Sequence, residues 1–88
     1  MGKVVAELKV MPDDKDTDLD VLEEEIAEKV TEEAELSGIK REEVAFGLTA
    51  LLVNIMIADE EGGTEEVENK LKQLDKVESV TVENVGRI

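Results

Sequence analysis

The 88-residue sequence predicts an α+β fold of four antiparallel strands and two helices in the order β-α-β-β-α-β. Three observations lead there. The apolar spacing switches between two residues and three-to-four residues along the chain, reading strand, helix, strand, strand, helix, strand. The two halves echo one another, each running strand, acidic loop, capped helix, strand. The third strand, residues 50–58, is the longest apolar run and is broken only by Asn54, which suits the middle of a sheet.

The first strand, residues 3–11, places Val4, Ala6, Leu8 and Val10 on one face and Val5, Glu7, Lys9 and Met11 on the other. Pro12 ends it, because proline cannot donate to a sheet ladder. In the acidic connection at residues 13–18, Asp18 or Thr17 can accept the free amide protons of the next helical turn. The first helix is expected over residues 19–36, with Leu19, Leu22, Ile26, Val30 and Ala34 as its apolar stripe. Gly38 then falls where a left-handed residue closes a helix. A second strand at residues 39–46 is polar enough for a sheet edge, and residues 47–49 form a short hairpin connection.

In the third strand Leu51, Val53, Ile55 and Ile57 are expected to face the core, with Leu52, Asn54 and Met56 pointing away. An acidic glycine loop at residues 59–63 leads to Thr64, the expected cap of a second helix over residues 65–74. Glu65 and Glu66 at its start and Lys70 and Lys72 at its end match the helix dipole, and Val67, Leu71 and Leu74 form its stripe. The fourth strand, residues 78–85, turns Val80 and Val82 inward. Right-handed crossovers put both helices on one face of the sheet. The result is a ferredoxin-like plait, one domain over residues 1–88, with strands one and three central and one sheet face open.

Bulk composition narrows the function. The chain carries 24 acidic and 10 basic residues, a net charge of −14, with no basic stripe, so direct contact with a phosphate backbone is disfavoured. An RNA-recognition module shares this topology but needs stacking aromatics on its central strands, and the sole aromatic here is Phe46. There is no cysteine or histidine, which removes disulfides, thiolate nucleophiles, the usual zinc ligands and the side chain best suited to proton transfer near neutral pH. The N-terminus lacks the apolar core of a signal peptide, and no apolar run approaches the roughly 20 residues of a membrane span. A soluble, cytoplasmic protein that does not touch membranes is expected.

Residues 14–25 approximate the spacing of a calcium loop, but Leu19 stands where the sharp turn needs glycine and also heads the helical stripe. A solvated capping loop is the simpler reading. Gly62-Gly63-Thr64 leads into a helix N-terminus, yet Asp59, Glu60, Glu61, Glu65 and Glu66 surround it and would repel a phosphate. With so many carboxylates, paired acids arise by chance and give no evidence of hydrolysis. Phe46 has two open readings: core, as a lone phenylalanine usually is, or part of an apolar interaction patch with Leu48 beside the hairpin glycine Gly47.

The ordered set Lys9-Val10-Met11-Pro12, Val44-Ala45-Phe46-Gly47-Leu48 with Ala50-Leu51, Asp59-Glu60-Glu61-Gly62-Gly63-Thr64 and Val77-Glu78-Ser79-Val80 resembles the elongation factor 1-beta family in its archaeal form, over essentially the whole chain. The resemblance implies guanine-nucleotide exchange on the translational GTPase elongation factor 1-alpha. It implies that this chain is like the exchange domain alone, without the N-terminal domains of eukaryotic members. It also implies that one end of the plait, bearing both the aromatic-glycine turn and the C-terminal tail, packs on the GTPase. A basic residue beside the C-terminus would disturb the magnesium and phosphate site. The matching positions are Phe46, Gly47 and Leu48 for the turn and Arg87 and Ile88 for the tail; eukaryotic relatives usually have lysine where Arg87 stands. Exchange needs no catalytic groups of its own, so the chain is expected not to be an enzyme. The alternative is a regulatory domain of the same fold that binds a small ligand or a cation.

Overall fold

The structure, a computed structural model, describes residues 2–58 and 64–87, with Arg87 described by its backbone alone. The elements are β1 (Lys3–Pro12), α1 (Leu19–Thr31), β2 (Glu35–Glu43), β3 (Thr49–Ala58), α2 (Glu65–Lys72) and β4 (Val77–Arg87). The sheet order is β2-β3-β1-β4, every pairing antiparallel, so β1 and β3 are central as their sequences require. This is the expected plait. Ala6, Leu8 and Val10 of β1 and Leu51, Val53, Ile55 and Ile57 of β3 are buried against Leu22, Ile26 and Val30 of α1 and Val67 and Leu71 of α2. The opposite residues of both strands, Val5 to Met11 and Leu52 to Met56, are half-buried on the face without helices.

Asp18 caps α1 as expected: its Oδ1 accepts from the amides of Asp20 at 3.0 Å and Val21 at 3.3 Å. Thr64 stands at the N-cap of α2 but makes no side-chain cap bond; its hydroxyl donates instead to Glu68 Oε2 at 2.7 Å. That helix ends at Lys72, two residues before the expected limit.

The larger correction concerns the middle of the chain. Helix α1 ends at Thr31 rather than residue 36, where the Ala34 amide closes onto the Val30 carbonyl at 2.8 Å. Strand β2 starts at Glu35 rather than residue 39 and ends at Glu43 rather than residue 46. Gly38 lies within β2, not after a helix. The cause is a bulge. Leu36 pairs with Ile55 and Ile39 with Val53, with the register shifting between Leu36 and Gly38. The extra residue, Ser37, lets two side chains three apart share the core face, so a strand acquires helix-like spacing. The same device recurs in β4, whose register shifts between Glu7 and Leu8 leave Glu83 unpaired and set Val82 and Val85 opposite Leu8 and Ala6.

Candidate partner-binding surfaces

Between β2 and β3 the chain turns through Val44–Leu48 as a single 3-10 turn, Ala45–Gly47, rather than the short link expected at residues 47–49. The Val44 amide donates to the Leu48 carbonyl at 2.9 Å and the Leu48 amide to the Ala45 carbonyl at 3.3 Å. Two consecutive residues take positive φ to close it, Phe46 at 63° and Gly47 at 76°. Glycine accepts that conformation freely, whereas for phenylalanine it is strained by about 1–2 kcal/mol. Phe46 nevertheless stays 93% exposed. The ring is thus excluded from the core, and of the two readings open at the sequence level only the exposed one fits. Leu48 beside it is half-buried. The acidic loop after β1 lies alongside, since a Cβ on Gly47 would stand 3.9 Å from the Lys15 side chain. Nothing in the spacing of residues 13–18 pointed to that proximity.

The loop itself is tied up internally. Asp13 Oδ1 accepts from the Thr17 hydroxyl at 2.9 Å, Asp14 Oδ1 from the Asp16 amide at 2.8 Å, and Asp18 caps α1. Among the described residues no group of three acidic side chains converges to hold a metal ion. The turn-and-cap account of Gly62 and Gly63 falls on residues outside those described, as does Ile88.

The two parts of the expected contact do not share one end of the sheet. The β2–β3 turn lies beyond the C-terminal end of β1, where Val10 pairs with Leu51. Arg87 pairs with Val4, near the N-terminal end of β1. The six residue steps of β1 from Val4 to Val10 span about 20 Å. Antiparallel pairing forces this: β4 runs against β1 and finishes where β1 begins. Phe46, Gly47 and Leu48 form one corner and the backbone of Arg87 the other, at opposite ends of the sheet.

Two surface cations tie the helices into the fold. Arg41 of β2 reaches α1, donating through Nε to Glu23 at 2.7 Å and through Nη2 to Asp20 at 2.6 Å; these bonds, Glu23 first, raise its pKa. Lys70 of α2 reaches the end of α1, with Nζ 2.6 Å from Glu32 and 3.1 Å from Glu33. Its hydrogen bonds hold both carboxyls below the ordinary carboxylate value. Neither cation is available to a partner without breaking these ties.

Comparison with known proteins gives the family of the chain. A family model of the EF-1 guanine nucleotide exchange domain matches residues 5–88. The chain belongs to that family. It is a guanine-nucleotide exchange factor of translation elongation. Elongation factor 1-beta of Halobacterium salinarum is 54% identical over 88 residues, covering 100% of each chain. The protein of the same name from Methanothermobacter thermautotrophicus is 46% identical over 88 residues, covering 100% of this chain and 99% of its own. Among solved structures, the ACT domain of the GTP pyrophosphokinase of Chlorobium tepidum superposes with a TM-score of 0.62 at 13% identity, covering 92% of this chain and 99% of that one. That likeness speaks to the fold of the exchange domain alone. No helix among its described residues is long and apolar enough to cross a membrane.

Proposed function

We propose that the chain binds elongation factor 1-alpha in its nucleotide-free form, and so promotes GDP release and GTP reloading in the cytoplasm without bond-making chemistry of its own. The mechanism is linkage. A protein that prefers the empty GTPase lowers the affinity for GDP by the same factor by which GDP lowers its own affinity. Two contacts serve this: an apolar anchor at Phe46, Gly47 and Leu48, and a basic one at Arg87 with Ile88, directed at the magnesium and phosphate site. Their separation along the sheet means that the GTPase must meet the domain along its length. The free domain acts as a monomer and without a cofactor, and it has no direct contact with nucleic acid.

The observation that supports this reading best is the Phe46 corner. A phenylalanine that is 93% exposed in a left-handed conformation carries strain and gains no burial on folding, and such features collect at binding sites. The test is release of fluorescent GDP from elongation factor 1-alpha against concentration of the domain. Acceleration at micromolar concentrations is expected; an unchanged release rate would refute the assignment. Arg87→Ala is expected to slow the maximal rate while leaving thermal unfolding unchanged.

A further inference from the structure

The open sheet face is not flat. The bulges at Ser37 in β2 and Glu83 in β4 stand on either side of one row of paired residues, Gly38, Asn54, Glu7 and Asn84, running across all four strands. Bulges increase local twist and bend, and here they border a shallow trough of about 740 Å³ lined by these residues together with Val5 and Lys40. Gly38 keeps the β2 side clear, with nothing within 4 Å of the point where a Cβ would lie.

The polar groups in this row are unspent. Lys3 pairs with Glu35 and Lys9 with Glu42 on the same face. The side chains of Glu7, Asn54 and Asn84 make no hydrogen bond or ion pair with any described residue. Glu7 is half-buried between the two amides, on a sheet whose neighbouring strands lie about 5 Å apart. A carboxylate flanked by two side-chain amides, whose oxygens can turn to accept beside it, offers a line of acceptors, and a planar guanidinium with five donors is the side chain that can satisfy such a line.

We infer that the trough receives an arginine side chain of the GTPase, whose guanidinium pairs with Glu7 and is held by Asn54 and Asn84. This rests on the exchange role proposed above and adds a third contact, on the sheet face between the two corners. The central place of Glu7, on a chain of net charge −14, favours a cationic occupant. Glu7 is the uncompensated anion at the centre, and Lys40, at the β2 rim and also without an ion pair among the described residues, opposes a cation's entry.

The charges make the test directional. GDP release is measured against domain concentration for the wild type, Glu7→Gln and Lys40→Gln, with thermal unfolding of each as a fold check. Glu7→Gln is expected to raise the half-maximal concentration about tenfold, the size of a lost charge-assisted contact. Lys40→Gln is expected to lower it about two- to threefold. Reversed signs would show that the trough takes an anion and would overturn the inference, as would two unchanged curves. If Glu7→Gln fails to fold, the side-chain amide signals of Asn54 and Asn84 in the wild type decide: a shift on adding GTPase supports the contact, and unmoved signals at saturation exclude it. A wild type that fails to accelerate release refutes the exchange role itself, a separate outcome.

Discussion

Replacing Phe46 by alanine separates binding from folding more cleanly than any other substitution in this domain. The side chain is 93% exposed, so folding gains almost nothing from it. At about 25 cal/mol per Å² on a ring of about 200 Å², the buried remainder is worth less than about 0.4 kcal/mol. Alanine keeps the left-handed strain, because it too has a Cβ, so no compensating gain arises. For a domain of this size about 1 kcal/mol moves the unfolding midpoint by roughly 4–8 °C, and the variant should melt within about 3 °C of the wild type. If the GTPase buries the ring, the same truncation forfeits about 1.5–3 kcal/mol of binding, on the order of 10- to 100-fold. The assay pairs a thermal melt with a titration of the domain into GTPase loaded with fluorescent GDP. A midpoint lowered by more than about 8 °C would mean that the ring supports the fold after all. A normal midpoint with normal exchange would mean that Phe46 is exposed without being an anchor.

Other perturbations follow from the same geometry. Glu32 and Glu33 have lowered pKa values beside Lys70, so the unfolded chain binds more protons than the folded one and their stabilisation is lost as pH falls from about the ordinary value of 4.5 through the lowered ones. Lys70→Gln should therefore melt below the wild type at neutral pH, with the gap closing under acid; an equal gap at both extremes would show that the ion pair is not its source. Gly47→Ala should cost about 1 kcal/mol in urea unfolding because of its φ of 76°, although the added methyl group meets only the Lys15 side chain. Gly38→Ala, with open space and no positive φ, should instead gain about 0.5 kcal/mol; equal losses at both glycines would contradict this conformational account. Asp18→Ala removes the cap of α1 and should lower stability by about 1 kcal/mol, read from the same unfolding curves.

The plait was legible because its central strands are governed by burial alone. Leu8 and Val53 sit where alternation puts them, and a strand lined with valine, leucine and isoleucine on its inner face has few other places to go. The boundary between α1 and β2 was not legible. Ala34 extends the apolar stripe of α1, and Leu36 and Ile39 stand three apart, a spacing that only a bulge makes compatible with one strand face. A bulge is a property of a pair of strands, so one segment read by itself cannot announce it. Phe46 illustrates a different limit. Its exposure depends on where a tight turn aims one side chain, which composition cannot fix. The resemblance placed Phe46 and Arg87 on one end of the sheet, whereas counting residues along β1 separates them. Glu7 and Asn54 could be assigned to the open face from alternation, but Asn84 joins them only through the second bulge.

The position of β1 has a consequence for how the domain comes to exist. Its first residues pair with the last of β4, Val4 with Arg87, so almost the whole chain lies between a central strand and its edge neighbour. Contacts so distant in sequence must pay their closure entropy before they return any stability, and they slow folding. On a ribosome, β1 emerges first and waits with both of its edges unsatisfied until β3 and then β4 arrive. The hairpin carrying Phe46 can form while synthesis continues, but the pairing that positions Arg87 must come last.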